Sequence, residues 1–293
     1  MSTELFDTEY LKKIEYLELI ARRLVFGRQQ AQRLSVRKGA SIEFKDFRAY
    51  SPGDDPRTVD WSVYARLGEL VVKLYRQEEE LDLWVLLDSS GSMRFGEPDK
   101  FDQAKRIAGA LAYIGMSNMD SSSVLPFADT LHKGRIRLRG RGQVFRLLKY
   151  LARLDATGKT NLHETTRAFI ARVRRPGLVA IISDFYGLEQ CQRAIDVLRF
   201  YGHEVYVIHV ASPWELDPPI RGEYRLVDIE SADHADIIVT DGMLKRYKRK
   251  HDEFTDALRS YCMKNSIGSS LARTDVAFDE FLTSVLRQGG LVA

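Results

Sequence analysis

Cysteine is nearly absent. Cys191 and Cys262 are the only two, and neither sits at a metal-binding or redox spacing. That excludes a disulfide scaffold or a zinc ribbon and suits a reducing compartment. Prolines number eight and no low-complexity run occurs, which argues against long disordered stretches. No apolar run approaches the roughly 20 residues that a membrane helix needs, and the longest, such as LVAII, have the length of core strands. The opening MSTELFDTEYLKKIEYLELIARRLVFG is amphipathic and charged, unlike a signal peptide. The reading therefore expects a cytoplasmic chain with no membrane span. Excess charge is lacking too: a net +3 over 293 residues is too mild to argue by itself for nucleic acid.

What is present is a folded-protein composition, 44% hydrophobic and 29% charged, long enough for one large α/β domain and a small appendage. Tyr10, Leu11, Ile14, Leu17, Ile20, Ala21, Leu24 and Val25 recur at helical spacing near the start. IEFKDFRAY and GELVVKLYRQ read as strands around a Ser51-Pro52-Gly53-Asp54-Asp55-Pro56 turn. LDLWVLLDSS, LVAIISDF and HEVYVIHVA are nearly continuous apolar runs, the pattern of strands covered on both faces in a parallel sheet. Helices are expected after a cap at Asp99 and over 145–154, 162–173, 188–200, 244–264 and 278–286, with VLPFA, GRIRLRG and SSLART as further short strands. Strands alternating with helices predict an α/β fold with a doubly wound, mostly parallel sheet and a small additional β subdomain. Residues 81–212 with 241–293 form the main domain in this reading. Residues 1–80 supply a helix and the β subdomain, completed by an inserted hairpin at 213–240.

In such a sheet, ligands gather beyond the carboxyl ends of the strands. Oxygen-bearing residues collect there. Asp88, Ser90 and Ser92 follow one core strand, Asp184 ends another, and Thr160 lies in a Gly158-Lys159-Thr160-Asn161 loop. Gly91 permits a tight bend between the serines. Three neutral hydroxyls and two carboxylates suit a hard cation such as Mg²⁺, and also Mn²⁺ or Ca²⁺. They balance only the ion's own charge, so it can accept one more carboxylate from outside. No His or Cys joins the set, which disfavours Zn²⁺.

Asp-x-Ser-x-Ser, Gly-x-Thr and Ser-Asp, in that order and each at a strand end or loop, resemble the metal-ion-dependent adhesion site of von Willebrand factor A domains. All five positions match. GASIEFKDFRAYSPGDDPRTVDWSVYAR, ahead of the first core strand, is similar to the signature of the bacterial domain of unknown function 58 family. That resemblance spans nearly the whole chain. It implies a Rossmann-like A domain and a non-enzymatic, cation-dependent adaptor whose partner presents Asp or Glu. It also implies an association with a MoxR-type AAA+ ATPase. Some members of that family carry N-terminal membrane spans, a feature this sequence departs from.

Other readings stay open. Asp54, Asp55, Arg57, Asp60, Trp61 and Arg66 form either a second recognition or bracing surface or a Pro-Gly turn with salt bridges and a packed tryptophan. A metal-dependent phosphoryl hydrolase would need a general base and a stabilising cation, for which Lys159 and His163 are the nearby residues. Gly-Lys-Thr is not a phosphate loop, because Leu154 stands where the upstream glycine is needed. No Gly-x-Ser-x-Gly elbow surrounds Ser92. His132, His163, His203, His209, His234 and His251 show no paired spacing. Arg135, Arg137, Arg139 and Arg141 alternate and could line a nucleic-acid groove, but no aromatics interleave, and an arginine-bearing edge strand also resists aggregation.

Overall fold

The computed structural model describes residues 5–32, 43–76, 82–117, 121–229 and 233–288. The chain divides into two compact units, one of residues 1–27 with 81–293 and the other of residues 28–80. Helix α1 (Thr8–Gln32) opens the chain, its Tyr10 backbone N–H capped by the Asp7 carboxylate at 2.7 Å. In the smaller unit β1 (Glu43–Ala49) pairs antiparallel with β2 (Val71–Arg76), and α2 (Trp61–Leu67) lies between them in sequence. A bulge falls between Phe44 and Asp46.

The larger unit carries, in chain order, β3 (Leu83–Asp88), α3 (Lys100–Ser117), β4 (Ser122–Phe127), β5 (Arg135–Leu138), α4 (Val144–Ala152), α5 (Leu162–Arg172), β6 (Leu178–Ser183), α6 (Leu188–Phe200), β7 (Glu204–Ala211), α7 (Pro213–Leu216), β8 (Gly222–Val227), β9 (His234–Val239), α8 (Asp241–Lys264), β10 (Gly268–Arg273) and α9 (Phe278–Gln288). Six strands form one sheet in the order β10-β7-β6-β3-β4-β5. All neighbours are parallel except β5, which runs antiparallel at the edge.

Strand alternation divides the core between the two faces. Val85, Leu87, Ala180, Ile182, Tyr206 and Ile208 join one cluster with residues of α1, α3, α4 and α9. Trp84, Leu86, Val179, Ile181, Val205 and Val207 join the other with α5, α6 and α8. Both faces are therefore covered by helices, which is why these strands read as unbroken apolar runs. Asp99 caps α3 through the Phe101 N–H at 2.7 Å, as its position ahead of the helix suggested. α3 is buried nearly all round; only Asp102 and Arg106 escape full burial.

Two domain assignments differ from the sequence reading. Tyr10, Ile14, Leu17 and Ala21 of α1 are buried in the core of the larger unit, because their shared face finds apolar neighbours there. Strands β8 and β9 pair with each other as a separate two-stranded sheet, as do β1 and β2.

Candidate metal centre

Strand order places the candidate residues. β3 and β6 are adjacent, with Leu87 opposite Ile182, so the next pair along is Asp88 and Ser183. This is also where the connections change direction: β4 lies on one side of β3, and β6, β7 and β10 on the other. Asp88, Ser90 and Asp184 are buried, while Ser92 and Thr160 are half-buried. The two carboxylates thus lie deeper than the half-buried Ser92 and Thr160.

The loops are tied together through the backbone. The Gly91 N–H donates to the Gly158 carbonyl at 2.9 Å, Thr157 N–H to Ser89 at 2.7 Å, and Asn161 N–H to Ala128 at 2.7 Å. Gly158 has φ +86°, a region open to glycine at no steric cost. A Cβ on Gly91 would sit 3.3 Å from the Ile229 carbonyl oxygen and 3.4 Å from that of Gly158, so only glycine lets these loops close without adjustment. Asn161 caps α5 through the Glu164 N–H at 3.0 Å. Phe185, buried directly after Asp184, adopts φ +56°, a left-handed conformation that costs a bulky residue about 1 kcal/mol.

All five sequence-predicted residues lie on these converging loops. The Asp88 Oδ1 accepts from the Ser90 N–H at 3.0 Å, and Ser90 Oγ lies 3.1 Å from Ser92 Oγ. Thr160 Oγ1 donates to Asp88 Oδ2 at 3.4 Å. Asp184 is close enough that its charge acts on Asp88, whose carboxyl is pushed up to about 7, first by burial and then by Asp184. The Ser183 hydroxyl opposes this, donating to Asp88 Oδ2 at 2.5 Å. Asp184 Oδ1 is buried and has no hydrogen-bond partner. A buried carboxylate oxygen left without a donor costs free energy, and a cation is one way to satisfy it. The donor set therefore fits a hard divalent ion: Asp88, Ser90, Ser92, Thr160 and Asp184 would hold it. Among the described residues no cluster of three or more His, Cys, Asp or Glu is placed to bind a metal, so such an ion would depend on hydroxyls.

Three neighbours, Lys100, Tyr186 and Glu215, escaped the sequence reading. Lys100 is fully buried and places its Nζ 2.9 Å from Asp184 Oδ2 and 2.5 Å from Glu215 Oε1. The Tyr186 hydroxyl donates to Glu215 Oε1 at 3.0 Å, and Ser183 braces Asp88. Burial alone would lower the Lys100 pKa, but Asp184 and Glu215 together raise it, so it is an ammonium. Nearby, burial pushes the His209 imidazole down to about 4 and the Cys191 thiol up to about 12, so both are neutral at pH 7.

Elsewhere the candidates are engaged locally. Asp54 accepts two bonds from Arg48 at 2.8 and 2.9 Å, Asp55 caps Arg57 N–H at 3.0 Å, and Asp60 caps α2 through Ser62 and Val63. The Arg66 Nε donates to the Ser62 carbonyl at 3.2 Å. Trp61, expected to be packed in the turn reading, is 60% exposed. Arg135 lies over the Tyr150 ring at 5.1 Å, Arg137 pairs with Asp82 at 3.5 Å and Arg141 with Glu18 at 2.6 Å. These guanidinium groups serve the chain's own residues. His163 faces Glu164 at 3.8 Å, and Lys159 is exposed. No helix among the described residues is long and apolar enough to cross a membrane.

A family described as "Protein of unknown function DUF58" matches residues 46–255, which include every residue of the candidate site. The chain belongs to the DUF58 family. This DUF58 chain is 29% identical over 231 residues to Uncharacterized protein Rv1480 of Mycobacterium tuberculosis, covering 77% of this chain and 72% of the relative. Uncharacterized protein Mb1516 of Mycobacterium bovis matches to the same extent. Among solved structures it is similar to the conserved hypothetical protein BatB from Bacteroides thetaiotaomicron at 15% identity, covering 71% of this chain and 99% of that one, with TM-score 0.41. It is also similar to the SpRpn10 VWA domain at 11% identity, covering 72% and 95%, with TM-score 0.40. At those scores the α/β architecture of the DUF58 chain stands on its own sheet order.

Proposed function

We propose that this chain is a non-enzymatic, cytoplasmic protein-binding adaptor that captures its partner through a divalent cation, Mg²⁺ or a similar ion such as Mn²⁺ or Ca²⁺. Asp88, Ser90, Ser92, Thr160 and Asp184 hold the ion, and a partner Asp or Glu completes its shell. The observation that carries this reading is the convergence of two buried carboxylates with the hydroxyls of Ser90, Ser92 and Thr160, one carboxylate oxygen of Asp184 having no donor. Bound there, the ion supplies an electrophile for an incoming carboxylate. The chain's own groups hold and orient: Ser90 and Ser183 fix the Asp88 carboxylate, and the Gly91–Gly158 contact fixes the loops. The family resemblance points to a MoxR-type AAA+ ATPase as the partner, in an ATPase-coupled role.

The test is binding of the purified chain to a MoxR-type ATPase of the same organism, in Mg²⁺ and in EDTA. Binding is expected in Mg²⁺ and lost in EDTA, and D88A, S90A and T160A should lose it while keeping wild-type circular dichroism. Equal binding by a cation-free sample would sink the reading.

A further inference from the structure

Lys100 is a buried ammonium beside the candidate cation site, and its contacts bear on which carboxylate oxygens remain available. Its Nζ occupies Asp184 Oδ2 at 2.9 Å and Glu215 Oε1 at 2.5 Å. Glu215 holds it in place. Oε1 also takes the Tyr186 hydroxyl at 3.0 Å, and Oε2 accepts the Ser212 N–H at 2.9 Å, closing the cap of α7. The Tyr186 ring covers the ammonium at 5.4 Å from its centroid. Neither oxygen of Glu215 is spare, and Lys100 cannot swing away without stranding a buried carboxylate.

The consequence falls on coordination. Asp184 retains a single oxygen without a donor, Oδ1. Asp88 receives the Ser90 N–H on Oδ1 and the Ser183 and Thr160 hydroxyls on Oδ2, so a two-oxygen grip would compete with those bonds. One oxygen from each carboxylate and the three hydroxyls make five protein donors for an ion. Ca²⁺ takes about six to eight oxygens and commonly uses both oxygens of a carboxylate, whereas Mg²⁺ takes six in tight octahedral order and keeps waters. We propose that Lys100 is the specificity-determining residue of this site: by occupying Asp184 Oδ2 it bars a bidentate carboxylate and selects Mg²⁺ or Mn²⁺ over Ca²⁺. The proposal rests on the cation-site reading above. Lys100 acts through Asp184 and is a positioning residue, not a ligand.

The experiment is calorimetric titration of the full chain with MgCl₂, MnCl₂ and CaCl₂. The wild type should bind Mn²⁺ and Mg²⁺ at least about tenfold more tightly than Ca²⁺. K100M frees Asp184 Oδ2, so Ca²⁺ binding should tighten and the gap should fall to about threefold or less. The double variant K100M/E215Q also removes the carboxylate that K100M strands, and should show the same narrowing if the single variant folds poorly. E215Q alone keeps Lys100 on Asp184 and should keep the wild-type preference. A change in fold stability alone would shift all three affinities together; only the proposed role changes their ratio. A wild type that binds Ca²⁺ as tightly as Mg²⁺ overturns the proposal without any variant. So does an unchanged ratio in K100M or in the double variant. A wild type that binds no divalent ion sinks the cation site itself, a distinct result.

Discussion

Neutralising Asp88 should stabilise the cation-free protein at and above neutral pH. The Asp88 carboxyl is fully buried and held at about 7, against 3.8 when exposed. A carboxyl whose proton is held more tightly in the folded state contributes stability below its unfolded value and loses it as pH rises through the folded one. The gap of about three pH units corresponds to about 4 kcal/mol in full, of which roughly 2–3 kcal/mol is lost between pH 5 and pH 8. For a unit of this size that is a fall of about 5–10 °C in Tm. Asparagine carries no charge in either state, so D88N should lack this contribution. The assay is thermal or urea unfolding of wild type and D88N in EDTA at pH 5, 6, 7 and 8. Reading the difference between the two proteins removes groups that titrate in both, His209 among them. D88N should gain on the wild type steadily up to about pH 7 and then level off. Mg²⁺ at pH 8 should restore the wild type and leave D88N unmoved, because the cation takes the place of the proton. Parallel pH profiles would refute the reasoning.

Three other changes test separate contacts. S183A removes the hydroxyl that holds Asp88 ionised, so the pH at which Mg²⁺ stabilises the protein half-maximally should rise by about one unit or more; a fixed midpoint would remove Ser183 from the site. His209 is held at about 4 by burial, below its ordinary 6.5, so its share of stability is present above pH 6.5 and lost as pH falls toward 4. H209F, facing Phe185 and Phe254, should therefore unfold less readily than wild type at pH 5 by up to about 2 kcal/mol, and a larger gain at pH 8 than at pH 5 would contradict this. A Cβ on Gly134 would overlap the Val124 carbonyl oxygen and stand 2.9 Å from the Leu125 Cα, both backbone atoms. G134A should cost about 2–3 kcal/mol by urea unfolding, and a cost below about 0.5 kcal/mol would mean that β5 does not close on β4 as described.

Much of the fold was legible because it rests on short-range patterns. LDLWVLLD, LVAIIS and EVYVIHVA lack polar alternation since helices cover both faces of the sheet, and the helix expected at 188–200 runs from Leu188 to Phe200. The cation-site candidates were legible because each lies at a strand end or in a loop, where polar residues inside a buried region stand out. Lys100 and Glu215 were not. They are 115 residues apart in the chain, and each alone reads as an ordinary charged residue near a helix start. The arginines of RIRLRGRG looked like a surface patch because Asp82, Glu18 and Tyr150 come from elsewhere in the chain.

Local chemistry decided where strands, helices and caps begin and end, since periodicity and turn residues act within a few positions. Which strands became neighbours was decided only by the tertiary structure. A strand's own residues set which faces it buries, while its partners depend on how the whole sheet covers its apolar area. That long-range choice put Ser183 beside Asp88 and threaded the Lys100 ammonium between Asp184 and Glu215. A buried charge is tolerated only where its partners arrive together, and no single stretch of sequence records that meeting.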